Sequence, residues 1–110
     1  LGATFKENVS DIRNSKVADV VMELKEFSIN VHWLDPHASS EELIHEYGHG
    51  LITEAELRDD YDAVIACVSH NQFKDYDEAY FKKLCSKKAL VVDVKGMYRG
   101  RIKELNYISL

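Results

Sequence analysis

Proline occurs once in this chain of 110 residues and glycine five times, so neither a collagen-like repeat nor a Pro/Gly-rich disordered tract can form. No apolar run approaches the roughly 20 residues that a membrane-spanning helix needs. No charged-then-apolar leader opens the sequence, so membrane insertion and export are not expected. Positive charge is also scarce. Lys and Arg number 14 against 19 Asp and Glu, a net charge of −5, which argues against a general nucleic-acid-binding surface. A local basic pocket for one phosphate-bearing ligand remains compatible with that balance. The two cysteines, Cys67 and Cys85, sit in an apolar run and a helical pattern, with neither metal-site nor disulfide-framework spacing. A reducing cytoplasm fits them best.

What remains is ordinary for a globular domain: 45% apolar and 30% charged residues, enough for one core and too short for two. Leu1-Gly2-Ala3-Thr4-Phe5 reads as a strand. A polar loop follows, and then Val17, Val20, Val21, Leu24 and Phe27 recur at helical spacing. Asn14 or Ser15 can cap that helix, with Asp11 as a competing cap. Ile29 to Leu34 is β-branched and aromatic and is stopped by Asp35-Pro36, a second strand. Ser39 to Tyr47 is helical, with Glu41 and Glu42 suited to its first turn and Gly48 to the position after its end. A weak strand at Leu51-Ile52 follows.

Ala63 to Val68 shows no polar alternation, as expected of a central strand covered on both faces. Phe73, Tyr76, Tyr80, Phe81 and Leu84 mark a further helix, and Ala89 to Val94 another buried strand. This order predicts an α/β fold: a three-layer, Rossmann-like, open and mostly parallel sheet with helices on both faces. Right-handed crossovers then gather Phe5-Lys6, Asp35-Pro36, Ser69-His70 and Asp93-Val94-Lys95 at one edge, where ligands bind near the switch in strand order. With no initiator Met and a start that reads like a strand end, the chain is expected to be a piece of a longer protein.

His45-Glu46-Tyr47-Gly48-His49 matches the zinc-binding pattern H-E-x-x-H. Zinc needs a third protein ligand and both histidines on one helical face, yet Gly48 breaks the helix between them. The extended pattern fails because Ile52 stands where its Gly is required. A solvated helix end is the expected role, and no metal is expected.

The segment Gly2-Ala3-Thr4-Phe5-Lys6-Glu7-Asn8-Val9-Ser10-Asp11-Ile12-Arg13-Asn14-Ser15 is more specific. It resembles the G-x-x-F-K-x-x-x-x-D-x-R-x-S stretch that opens the C-terminal domain of the UDP-glucose/GDP-mannose dehydrogenase family. Asp35-Pro36, Tyr61-Asp62-Ala63-Val64, Ser69-His70-x-x-Phe73 and Asp93-x-Lys95-Gly96 resemble the same family in the right order, across nearly the whole chain. Thr-Phe-Lys-Glu-Asn and Asp-Val-Lys-Gly look most like the branch that oxidises UDP-N-acetyl-hexosamines to uronic acids for surface polysaccharides.

Residue types alone leave the site open. Lys6 is either a solvated lysine or a compact cation for a phosphate or sugar oxygen; Phe5 is either core packing or an apolar face beside a base or ribose. Arg13 could be a helix-start residue paired with Asp11, and Lys95 a lysine in a surface turn. The resemblance implies that Phe5, Lys6 and Lys95 bind a UDP-sugar and that Arg13 lies near the NAD pyrophosphate at a closed domain interface. His70, His32 and His37 read as structural, while Arg99 and Arg101 are left open.

The family's cysteine nucleophile lies in a G-x-C segment upstream of this domain, and neither Cys67 nor Cys85 has a setting that favours a reactive thiolate. No catalytic residue is expected here. The first strand–helix junction also lacks G-x-G-x-x-G, which removes most of the case for Asp35 as a ribose ligand. The expectation is that residues 1–110 are the C-terminal UDP-sugar-binding domain of an NAD-dependent nucleotide-sugar 6-dehydrogenase, inactive alone and without bound NAD. Its partners would be the UDP-sugar, the missing N-terminal NAD-binding and central domains, and further copies in a homo-oligomer. A free-standing α/β nucleotide-binding module and a zinc peptidase are the competing classes.

Overall fold

The computed structural model describes residues 1–110. Three strands form a parallel sheet in the order β1 (Tyr61–Ala66), β2 (Cys85–Asp93), β3 (Asn106–Ser109). The regular β1–β2 register runs from Ala63 opposite Leu90 to Ala66 opposite Asp93. On the free side of β1 three extended segments continue the sheet through isolated backbone bonds. Leu1 donates to Ile65 (2.6 Å) and accepts from Cys67 (2.9 Å), the pattern of a parallel pair. Gly2 donates to Leu34 (2.8 Å), and Ile52 to Trp33 (2.8 Å).

The strands expected at residues 1–5 and 29–34 do not form as regular strands: sheet-type bonds reach only Leu1, Gly2, Trp33 and Leu34. Side chains have taken the bonding groups that a ladder would use: the Trp33 indole N–H donates to the Gly2 carbonyl (2.6 Å), and the Ala3 N–H donates to the Asp35 carboxylate (2.7 Å). From residues 1–3 the chain steps outward to 33–34 and then to 52. It returns to β1 beside residues 1–3 and steps the other way to β2 and β3. The strand order thus reverses between Ala3 and Val68, the switch point of a doubly wound sheet.

Helices cover both faces. β1 alternates as a strand must: Val64 and Ala66 join a core with Phe81, Ala89, Tyr98 and Ile102, while Ile65 and Cys67 join one with Ala3, Val17, Ala18, Val21, Trp33 and Leu43. The second core is roofed by α1 (Lys16–Glu26) and α2 (Ser40–Tyr47). Ser15, rather than Asn14 or Asp11, caps α1, its hydroxyl accepting from Ala18 N–H at 3.3 Å. Val17, Ala18 and Val21 form its buried stripe, whereas Val20 and Phe27, expected on that face, are 40% and 71% exposed. Gly48 ends α2 in the left-handed conformation (φ 74°), as its position suggested.

The single helix expected around residues 73–84 is two, α3 (Asn71–Lys74) and α4 (Glu78–Leu84). Asp77 caps the second, accepting from Tyr80 N–H at 2.8 Å, and a capping side chain competes well with helix continuation. Arg101 holds the break open by donating to the carbonyls of Lys74 (3.0 Å) and Tyr76 (2.8 Å). Cys85 opens β2 instead of closing a helix. β3 was not foreseen; the Glu78 carboxylate sets its approach by accepting the N–H groups of Lys103, Glu104 and Leu105 at 2.7–3.0 Å.

Gly2 lies close against Val68. Its φ is 103°, and a Cβ there would lie 2.6 Å from Val68 Cγ2 and 3.0 Å from the Val68 backbone nitrogen. Gly2→Ala is expected to destabilise the domain by about 2–4 kcal/mol, combining left-handed backbone strain with overpacking. Urea unfolding measures this, and a midpoint equal to that of the parent chain would refute the close approach.

Candidate functional site

The switch point is filled by a carboxylate and an imidazole, both side chains fully buried. Asp35 Oδ1 accepts the N–H groups of His37 (2.7 Å) and Ala38 (2.9 Å), which turns the chain after the second extended segment. Its Oδ2 accepts from Ala3 N–H (2.7 Å) and from His70 Nε2 (2.7 Å). Four donors satisfy the anion, the condition under which a buried carboxylate is tolerated. On the other side of the ring the Asn8 N–H donates to His70 Nδ1 at 2.9 Å. Since a backbone N–H can only donate, Nδ1 carries a lone pair and the ring proton sits on Nε2. The Thr4 hydroxyl, 3.2 Å from Nε2, donates its own hydrogen bond to the Lys6 carbonyl at 2.8 Å.

These bonds shape the loop that follows the first extended segment. At its base Phe5 N–H donates to the Asp11 carbonyl (2.7 Å). At its far end Asn8, with φ 58°, accepts from Asn71 N–H through its side chain at 3.0 Å. Phe5 (59% exposed), Lys6 and Glu7 project outward between these ties. Phe5 therefore does not pack in the core.

Lys95 rises from a second turn on the same edge. Val94 N–H donates to the Ala66 carbonyl (2.9 Å), keeping that turn beside the end of β1. The buried Asp93 carboxylate sets the turn's shape, accepting from Met97 N–H (3.1 Å), Tyr98 N–H (2.8 Å) and the Tyr107 hydroxyl (2.6 Å). Burial, then the Asp93 carboxylate, hold both the Tyr107 and the Tyr98 phenols above their ordinary range, so both remain donors. Lys6 and Lys95 thus flank the end of β1 from segments two sheet positions apart, roughly 10 Å at strand spacing. Such a gap suits a phosphate-bearing ligand held from both sides.

Arg13 lies apart from these groups, on the loop before α1. Its guanidinium makes a forked pair with Asp11 (3.0 Å to each carboxylate oxygen) on the surface. Hydrogen bonding between the two lowers the Asp11 carboxyl and raises the Arg13 guanidinium. With the Arg13 side chain 82% exposed, the pair is open to water.

The family profile described as "UDP-glucose/GDP-mannose dehydrogenase family, UDP binding domain" matches residues 1–100. The chain belongs to this family. It is 39% identical over 103 residues to a UDP-N-acetyl-D-glucosamine 6-dehydrogenase of Pseudomonas aeruginosa and 41% identical over 96 residues to one of Salmonella typhi. Each match covers 86% of this chain and 22% of the relative, so the chain spans about a fifth of the length of the curated relatives it matches. Among solved structures, the UDP-N-acetyl-mannosamine dehydrogenase of Staphylococcus aureus is similar with a TM-score of 0.71. That likeness covers 99% of this chain and 24% of the other, and at 24% identity it supports the fold.

Within this family domain the other candidate chemistry is structural. Burial pushes both the Cys67 and the Cys85 thiols up, away from reactive thiolate character. His45 is exposed on the last turn of α2. His49 lies beyond left-handed Gly48 against Trp33 (ring centroids 6.1 Å apart), where burial, then Lys25, keep its imidazole below the ordinary value. No three His, Cys, Asp or Glu side chains converge as a metal set.

Sequence reasoning passed over the Asp35–His70 pair and the Asp93 turn. Each carboxylate follows a strand and precedes a turn, and the many backbone donors of a turn were the available signal. Arg99, also left open, donates to Ser109 Oγ (3.0 Å) and the Leu110 carbonyl (2.8 Å), tying the chain end to the Lys95 turn.

Asp93→Asn keeps the side chain's size but leaves one acceptor oxygen for donors that now use two. It is expected to cost about 1–3 kcal/mol and to lower the melting temperature by at least about 4 °C. Calorimetry reads this directly, and an unshifted transition would rule out the carboxylate as the organiser of the Lys95 turn.

Proposed function

We propose that residues 1–110 are the C-terminal, UDP-sugar-binding domain of a longer NAD-dependent UDP-N-acetyl-hexosamine 6-dehydrogenase. Such an enzyme makes UDP-uronic acids for surface polysaccharide. The observation that carries this reading is the presentation of Phe5 and Lys6 on a tied loop at the switch point, with Lys95 across the end of β1. Lys6 and Lys95 supply point charges for the diphosphate and sugar oxygens, and Phe5 an apolar surface for base or ribose.

NAD does not fit this domain's own first turn. No glycine occurs between Gly2 and Gly48, so the backbone cannot approach a pyrophosphate there as a dinucleotide loop does. The Ser15 hydroxyl, moreover, already occupies the Ala18 N–H at the start of α1. In this reading the cofactor and the nucleophilic thiol belong to the N-terminal and central domains of the parent enzyme, a cytoplasmic homo-oligomer. Arg13 adds only an outer contact to the pyrophosphate on domain closure. Free, buried cysteines support the reducing compartment.

Two measurements on the 110-residue chain test the proposal. UDP is expected to bind weakly, and Lys6→Ala to weaken it by about tenfold or more, the scale of one lost charged hydrogen bond. Incubation with NAD and UDP-N-acetyl-hexosamines is expected to yield no NADH. UDP affinity untouched by Lys6→Ala would remove the proposed contact, and turnover by this chain would show that it holds a complete oxidising site.

A further inference from the structure

We propose that His70 is a positioning residue for ligand binding: with its ring held by Asp35, it locks the amide of Asn8 and so fixes the loop that presents Lys6. The inference rests on the reading that Lys6 contacts the UDP-sugar. It begins from an unusual use of a core position. His70 is 0% exposed, packed between His37 (ring centroids 4.6 Å) and Phe73 (5.4 Å), a place that an apolar ring of similar size would fill. Yet both of its nitrogens make polar bonds, one inward to Asp35 and one outward to a loop whose residues 5–8 are all exposed.

The outward bond has a directional consequence. Phe5–Asn8 have no apolar burial to hold them, and an unrestrained loop of this kind samples many conformations. Its ties are the Phe5–Asp11 and Thr4–Lys6 bonds at the base and the Asn8–His70 and Asn71–Asn8 bonds at the far end. The base bonds hold the Lys6 carbonyl at one point but leave residues 7 and 8, and with them the orientation of the Lys6 peptide, free to swing. Locking Asn8 in its left-handed conformation closes the loop into one shape, with the Lys6 backbone settled before ligand arrives. Apparent affinity scales with the fraction of molecules whose loop is already competent, so loss of the tie weakens binding without removing any ligand contact.

The test compares the chain with His70→Phe, Lys6→Ala and the double variant, using ¹⁵N relaxation of residues 5–8 and UDP titration. In His70→Phe the loop amides are expected to become mobile on the picosecond-to-nanosecond scale, while Lys6→Ala leaves them ordered. UDP binding is expected to weaken by about tenfold in His70→Phe. The double variant is expected to bind no more weakly than Lys6→Ala alone, because His70 acts through Lys6; a general loss of structure would add to it instead. An ordered loop in His70→Phe, or additive losses, would overturn the proposal.

Should Lys6→Ala leave UDP binding unchanged, the UDP-site reading falls, while the relaxation data still decide whether His70 orders the loop. If His70→Phe does not fold, the parent chain supplies the decision. A scalar coupling across the hydrogen bond from the Asn8 amide nitrogen to an unprotonated His70 Nδ1 supports the lock, and a protonated Nδ1 overturns it.

Discussion

A buried anion at the reversal of strand order organises this domain. The Asp35 carboxylate receives backbone donors from the first extended segment and from the turn after the second, and a side-chain donor from His70 on the segment between β1 and α3. Three separate stretches of chain thereby converge on two oxygen atoms. The arrangement is stable because each donor is a group that would itself be unpaired without the carboxylate. It also takes the Ala3 N–H that a ladder would use, as the Trp33 indole takes the Gly2 carbonyl.

The same device recurs across the end of β1. Asp93 gathers two amides and a phenol at the base of the turn that carries exposed Lys95, while Asp35 gathers three amides and the imidazole of His70, which in turn bonds the loop that carries exposed Lys6. The anions face inward and are neutralised by hydrogen bonds. The cations face outward and are free for a ligand. An overall acidic chain can in this way present a local basic edge, since its negative charge at that edge is buried and already paired.

Chemistry that looked available in isolated motifs is absorbed by the fold. Arg101 closes the gap between α3 and α4, Arg99 anchors the chain end, and both thiols are sealed in the two cores. What remains exposed and unpaired at the switch edge is the Phe5–Lys6 loop and Lys95. These are the groups that the proposed UDP-sugar site uses, in a chain that spans about a fifth of the length of the relatives it matches.

Much of the architecture was legible locally. The apolar stretch in β1, the periodicity of α1 and the Gly48 stop each depend on neighbouring residues, so sequence alone determined the α/β class and the sheet edge at which Lys6 and Lys95 stand. The motif from Gly2 to Ser15 was legible for the same reason, its spacing being that of one contiguous loop. What only the tertiary structure decided were features that need distant partners. Val20 and Phe27 obey the helical period yet stay exposed, because the sheet meets α1 along a narrow stripe. The break between α3 and α4 is held by Arg101, and the approach to β3 by Glu78, each 25 or more residues from what it binds. His70 read as structural because nothing near it in sequence says that its ring lies between Asp35 and Asn8, 35 and 62 residues away. Periodicity reports which face of an element is apolar, whereas the partner of a buried polar group is set by the packing of the whole chain.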